Sequence, residues 1–64
     1  MKEIDKIRHL LKHYIEHTEE HAKEFEDLAN RLMTYEEAKG LREALHQSSL
    51  KLKEIIEILT PYLE

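Results

Sequence analysis

Apolar residues recur along the first half of the chain at alternating steps of three and four residues. They form a first stripe, made of Ile4, Ile7, Leu11, Tyr14, Phe25, Leu28 and Leu32. This spacing places the apolar side chains on one face of an α-helix. A second stripe with the same spacing is made of Ala38, Leu41, Leu45, Leu52, Ile55 and Leu59. The pattern predicts two amphipathic helices, one over about residues 3–33 and one over about 35–60.

Polar residues interrupt both stripes near the middle of the predicted helices. Thr18 and His21 fill the missing positions of the first stripe, and Ser48 fills that of the second. Reflection of the chain about position 34 brings Thr18 near Leu50 and His21 near Ser48. We therefore expect the polar residues to meet between the helices, where such a layer can fix register and oligomeric state.

The segment between the stripes carries two signals for helix ends. Thr34 and Glu37 have the spacing of a capping box, in which two side chains bond free backbone N–H groups at a helix start. Gly40 is the competing signal, because glycine often ends a helix. We place Gly40 inside the second helix, where it costs about 1 kcal/mol relative to alanine. Pro61 ends that helix together with Thr60, because proline cannot continue the hydrogen-bond ladder.

Two long helices joined by so short a turn fold back on each other as an antiparallel hairpin, so we expect one all-α domain over residues 1–64. Further apolar residues widen the stripes, mostly at the end away from the turn: Leu10, Ile15, Leu50, Ile56, Ile58 and Leu63. Two helices cannot cover each other over so wide an arc. We predict a homodimer that forms a four-helix bundle, with a tetramer or a protein partner as alternatives.

The composition argues against several classes of function. The 64 residues contain no cysteine, which excludes disulfides and thiolate zinc sites. The net charge is −4 and no basic stripe exists, so we expect no nucleic-acid binding. No apolar run approaches the roughly 18 residues of a membrane span, and the polar faces are too acidic for a surface-lying membrane helix. The charged N-terminus lacks the apolar stretch of a signal peptide, so we expect a cytoplasmic protein.

Four of the five histidines form a ladder in the first helix. His9, His13, His17 and His21 stand four residues apart, so neighbouring imidazoles lie one above the other. Such pairs suit a divalent transition metal such as Zn, Ni or Co. Each step turns the helix face by roughly 40°, so His9 and His21 cannot share one ion.

Acidic residues follow three of these histidines at a spacing of three, which also places side chains face to face. Because heptad counting puts His21 in the seam, with His17 and Glu24 beside it, we predict these three side chains as the main metal ligands. His13 and Glu20 are further candidates. A dimer axis or the second helix completes the site.

Two other interpretations of the titratable residues stay open. The histidines of the ladder are also compatible with a solvated helix face, above all His9, and with a buried polar layer at His21 that needs no metal. Glu43 and His46 form a Glu-x-x-His unit of the kind that holds di-iron centres, with Glu20 or Glu24 as the missing carboxylate. Leu41 and Leu45 occupy the seam, so we expect Glu43 and His46 on the outer face.

The string HYIEHTEEHAKEF, residues 13–25, resembles a motif of small helical-hairpin proteins of archaea and bacteria, HW-x-x-HN-x-x-HA-x-x-F. His13, His17, His21, Ala22 and Phe25 match this motif position by position. Tyr14 stands in place of its Trp and Thr18 in place of its Asn. These proteins are functionally uncharacterised. The resemblance implies a histidine-centred, metal-related site and no known reaction.

No nucleophile with an acid–base partner and no glycine-rich phosphate loop is present, so we expect no enzyme. The leading hypothesis is a small protein that binds a divalent transition metal for storage, delivery or sensing. The alternative, from another class, is a structural or protein-interaction module without metal. A ferritin-like di-iron bundle is a third hypothesis.

Overall fold

The computed structural model describes residues 2–63, which form two long helices that pack side by side along a hairpin. Helix α1 is Glu3–Arg31 and helix α2 is Lys39–Leu59. A 3-10 turn, Glu36–Ala38, precedes α2, and a second one, Thr60–Tyr62, follows it. Residues 2–63 contain no strand, so the predicted all-α hairpin is confirmed. Met1 and Glu64, which the predicted domain includes, lie outside the described residues.

The ends of both helices follow from local chemistry. Glu3 and Asp5 lie in the first turn of α1 and Arg31 in its last turn, where each charge interacts favourably with the helix dipole. Helix α2 ends directly before Thr60 and Pro61, as predicted. The Thr60 hydroxyl donates to the Ile56 carbonyl at 2.6 Å and so satisfies a group in the last turn of α2.

The turn is longer than predicted and is held differently. The side chains of the N-cap residues, Tyr35 for the 3-10 turn and Ala38 for α2, form no capping hydrogen bond. The capping box predicted at Thr34 and Glu37 therefore does not form. Instead, Arg42 Nη1 donates to the carbonyl oxygens of Leu32, at 3.5 Å, and Met33, at 3.0 Å. The arginine thus ties the segment after α1 to the first turn of α2, and the Leu32 carbonyl also accepts from the Tyr35 N–H at 3.1 Å.

Small residues make the central part of the contact between α1 and α2. Ala22 and Ala29 are buried, and Ser49 on the facing helix has no exposed surface. The Ser49 hydroxyl donates to the Ala22 carbonyl at 2.9 Å. Small side chains at these positions let the two backbones approach each other, and the hydrogen bond ties them at mid-length.

Both helices are slightly rotated relative to the predicted seam. One row of each predicted stripe stays half-buried: Leu11, Thr18 and Phe25 in α1 and Leu45, Leu52 and Leu59 in α2. The other row is displaced by one residue, to positions 15, 22 and 29 in α1 and 42, 49 and 56 in α2. His21 and Ser48, which we predicted inside the seam, are exposed, so that prediction is wrong. The large apolar side chains suggested a seam through these two positions, whereas alanine and serine allow the closer contact. Thr18 stays half-buried, but it bonds the Tyr14 carbonyl of its own helix.

The register between the two helices differs from the predicted one because the turn is longer than predicted. Ser49 meets Ala22 and His46 meets Glu26, so the chain folds back near residues 35–36 instead of 34. The predicted pairing is therefore displaced by roughly half a turn to one turn. His21 and Ser48 still lie near one level along the helices, but both are on the outside of the hairpin.

The hairpin has two broad sides of opposite character. In an antiparallel helix pair, equivalent flanking positions of both helices lie on the same side of the seam, as the contact between Glu26 and His46 illustrates. The positions that flank the opposite edge hold exposed large apolar residues, which define the apolar side: Ile7, Leu10, Tyr14, Leu28, Leu41, Ile55, Ile58 and Tyr62. The polar side carries mainly charged residues, among them Lys12, Glu19, Glu26, Glu43, His46 and Lys53. Of the six residues predicted to widen the stripes, Leu10 and Ile58 lie on the apolar side. Ile15 is buried and Ile56 and Leu63 are half-buried, so for these three the prediction is wrong. Leu50 is exposed, but by helix position it lies on the polar side.

Within residues 2–63, neither helix combines the length and the apolar character that crossing a bilayer requires.

The buried serine allows a test of the seam. Ser49→Val should lower the free energy of unfolding by about 1–3 kcal/mol, because added methyl groups have no room against Ala22. Gln47→Val places the same β-branched residue at an exposed position outside the seam and the apolar side, so the difference between the variants isolates packing. Urea denaturation followed by circular dichroism measures both. Equal destabilisation by the two variants would contradict the observed rotation.

Gly40 lies in the first turn of α2, as predicted, and its φ is not positive. A Cβ added there meets no atom within 4 Å. Gly40→Ala should therefore stabilise the protein by about 0.5–1 kcal/mol, because alanine loses less backbone entropy on folding. Thermal unfolding should shift upward by several degrees. Gln47→Gly, at an exposed position of the same helix, should shift it downward, and a fall in Tm for Gly40→Ala would contradict the helical assignment.

Candidate functional site

The predicted metal ligands all lie on the outside of the hairpin. His13, His17, Glu20, His21 and Glu24 are exposed. By helix position, His17, His21 and Glu24 belong to the apolar side, in the interval between Tyr14 and Leu28, whereas His13 and Glu20 face away from α2. The structure therefore brings the three main candidates to one surface, which is not the seam in which His21 was predicted.

Each of two imidazoles is backed by a carboxylate one turn further along α1. His17 Nδ1 lies 3.7 Å from Glu20 Oε2, and His21 Nδ1 lies 3.4 Å from Glu24 Oε2. Each carboxylate therefore lies beside the Nδ1 edge of its ring, although neither contact is a hydrogen bond. In metal-binding histidines a carboxylate commonly accepts a hydrogen bond from one nitrogen, which orients the ring and raises the basicity of the other nitrogen. A small adjustment of either exposed side chain would give this arrangement.

The ladder brings ligands together in pairs. The rings of His13 and His17 meet edge to face, with centroids 5.1 Å apart. In the part of the chain that the structure describes, no three His, Asp or Glu side chains come together in a group that could hold one ion. A metal bound with three or four protein ligands would therefore need side chains from a second molecule or a rearrangement of exposed ones.

A second pair of titratable residues joins the two helices on the polar side. His46 Nδ1 lies 2.8 Å from Glu26 Oε1. Because a carboxylate can only accept, His46 donates from Nδ1. The pair lies in a groove of about 350 Å³ near the turn, lined by Glu26, Ala29, Asn30, Met33, Arg42, Glu43, His46 and Gln47.

The Glu-x-x-His unit of α2 faces outward, as predicted, because both Glu43 and His46 are exposed. The carboxylate that meets His46 is Glu26, instead of the predicted Glu20 or Glu24. Our sequence analysis missed Glu26 because the predicted seam ran through His21. A seam through Ala22 puts Glu26, four residues later, on the edge that faces His46.

The fold defines the chain as a small all-α helical hairpin with an exposed histidine surface. Residues 7–64 match the model of a domain family of unknown function, DUF8180, and the chain belongs to this family. The match includes the whole histidine ladder. No curated protein and no solved structure has a significant match to the chain. The family is uncharacterised, as expected, whereas the resemblance to the histidine motif stays a prediction.

The hydrogen bond between α1 and α2 predicts the tautomer of one histidine. Neutral His46 should carry its proton on Nδ1, because the Glu26 carboxylate accepts from that nitrogen. Long-range nitrogen–proton NMR correlations at alkaline pH distinguish the two tautomers. Glu26→Gln should shift the population towards the Nε2–H form, while His9, at the far end of α1, serves as an unaffected control. A dominant Nε2–H form of His46 in the unmodified protein would contradict the observed pairing.

Proposed function

We propose that this protein is a self-associating structural module, in which two hairpins pack through their apolar sides into a four-helix bundle. The observation that carries the proposal is the concentration of eight exposed large apolar residues on one broad side. In contrast, the buried apolar residues that the structure describes are Ile15, Ala22 and Ala29. Further large apolar residues of both helices are half-buried: Leu11, Phe25, Leu45, Leu52, Ile56 and Leu59. The contact between α1 and α2 therefore covers one face of each helix and leaves the apolar side in water.

Energetics favours a partner for this surface. A domain of about 60 residues buries only about 60% of the surface that its unfolded chain exposes, and it folds with little margin. Fully burying one Leu, Ile or Tyr-sized side chain contributes about 1.5–3 kcal/mol. The apolar side offers several such side chains, of which Ile58 is 66% exposed and Tyr14 61%. Covering them stabilises the hairpin itself.

The dimensions of the apolar side suit a second copy of the chain. The Cα framework extends over 53 × 15 × 13 Å, so one broad side covers roughly 800 Å². This is about the area that each partner contributes to a stable protein–protein interface. Two such sides placed face to face form a four-helix bundle with one continuous apolar layer, in which the apolar side of each hairpin covers that of the other.

The polar side does not share these properties. Its residues are mostly charged, and the contact of Glu26 with His46 uses groups that water can also reach. Self-association through the apolar side would leave this side in water. Two exposed large apolar residues, Met33 and Leu50, lie on the polar side, compared with eight on the apolar side. The apolar side is therefore the more extensive interaction surface.

Charge substitution tests the proposal. Tyr14→Glu and Ile58→Glu should each convert a dimer of 7.7 kDa chains into a monomer of lower thermal stability, because the new carboxylate would be buried in the interface. Sedimentation velocity at several protein concentrations measures the oligomeric state. Both side chains are exposed in the single hairpin, so the substitutions leave its own contacts intact.

Met33→Glu is the matched control. Met33 is 64% exposed, as Ile58 is 66% exposed, but it lies in the groove of the polar side. This variant should remain a dimer. An unmodified protein that is monomeric at micromolar concentration both with and without Zn²⁺, or equal effects of Met33→Glu and Ile58→Glu, would overturn self-association and leave the apolar side to a different protein.

A further inference from the structure

We infer that the two-fold axis of this dimer passes at the level of His17 and His21, and that the four imidazoles gathered there bind one divalent transition-metal ion. The inference rests on the proposed self-association, since a single chain holds no complete group of ligands in residues 2–63. The second copy supplies the two missing imidazoles.

The apolar side has polar residues only in its middle. Towards the open end lie Ile7, Leu10, Tyr14, Ile55, Ile58 and Tyr62, and near the turn lie Leu28 and Leu41. Between these two apolar regions are His17, His21, Glu24, Ser48 and Lys51. If two hairpins pair so that both apolar regions of each are covered, the polar residues in the middle of the two apolar sides lie at the same level along the helices.

The bulk of the two apolar regions favours one direction of pairing. The open end carries both tyrosines, whereas Leu28, Leu41 and the small Ala44 lie near the turn. An axis perpendicular to the helices stacks the bulky end of one copy on the slim end of the other, which keeps the layer between them of even thickness. This axis also places α1 on α1 of the second copy, in antiparallel orientation.

The position of the axis follows from both helices. The apolar-side residues of α1 are bounded by Ile7 and Leu28, and their midpoint lies just after His17. Those of α2 and the 3-10 turn after it are bounded by Leu41 and Tyr62, and their midpoint lies opposite Glu20, because Ser49 meets Ala22. A two-fold axis between these two levels, near Glu19, sets His17 of one copy opposite His21 of the second copy, and the reverse. Helices in direct contact are about 8–10 Å apart, a separation that two imidazole side chains can bridge through one ion.

The chemistry of these side chains suits a metal of the Zn, Co or Ni type. Neutral imidazole is a preferred ligand of these ions, and four nitrogens complete a tetrahedral site. Glu20 and Glu24 contact the Nδ1 edges, which leaves the Nε2 atoms as ligands. The carboxylates of both copies also offset the charge of the ion, and the apolar regions on either side limit access of water.

Metal titration of metal-free protein, prepared without a polyhistidine tag, tests the inference. Calorimetry with Zn²⁺ should give one ion per two chains, and Co²⁺ should produce the visible absorption of a tetrahedral site. His17→Ala and His21→Ala should each weaken binding by more than about 100-fold. Loss of a residue that only hydrogen-bonds to a ligand weakens metal binding by up to about 100-fold, and these variants remove a ligand itself. Glu24→Gln should weaken it by about 10-fold. Binding should also weaken in acid, because protonated imidazole has no free lone pair.

Two histidines outside the proposed site provide the controls. His9→Ala, at the open end, and His46→Ala, on the polar side, should leave affinity and stoichiometry unchanged. Tyr14→Glu, which should separate the dimer, should abolish tight binding although it removes no ligand.

The outcomes separate the metal site from the self-association. A metal-free dimer that binds no Zn²⁺, or that binds one ion per chain without sensitivity to Tyr14→Glu, overturns the metal site and leaves the self-association standing. A protein that is monomeric without metal and with Zn²⁺ overturns both. A metal-free monomer that dimerises with one Zn²⁺ per two chains supports the metal site and shows that the ion is needed for assembly.

Discussion

The close approach of α1 and α2 at Ala22 and Ser49 is the constraint on which the rest of the structure depends. A helix pair with small residues at its contact line gains from the proximity of two backbones, and here the Ser49 hydroxyl secures it by bonding the Ala22 carbonyl. This contact sets the rotation of both helices. The rotation in turn leaves eight large apolar residues exposed on one broad side. This exposed side is therefore a consequence of which face each helix turns towards the other.

Much of the fold could be predicted from local sequence signals. Periodicity predicted two helices, Pro61 marked the end of α2, and Gly40 was correctly placed inside that helix. The excess apolar arc was also predicted, because it depends only on counting apolar positions around each helix. These features are local, or they follow from the geometry of a single helix. The neighbouring element has no influence on them.

The rotation, the register and the turn could not be predicted in the same way. A seam through His21 and a seam through Ala22 differ by one position, and large apolar residues favour the first, whereas the distance between backbones favours the second. The capping box at Thr34 competes with a carbonyl clamp by Arg42, a residue distant in sequence from the end of α1. The contact of Glu26 with His46 depends on both the rotation and the register, so it was inaccessible until both were known. For the candidate site, the sequence identified the histidine surface but placed it between the helices instead of outside them.

The location of the chain ends has a consequence for covalent duplication of this hairpin. Lys2 and Leu63, the described ends, both lie opposite the turn, at one end of a framework 53 Å long. In an antiparallel pair the end of one copy and the start of the next would lie at opposite poles. A peptide tether between them would need about 15 fully extended residues to span that distance. A tandem repeat with a shorter tether would instead force the copies side by side in the same direction, with the ladder of one facing α2 of the other.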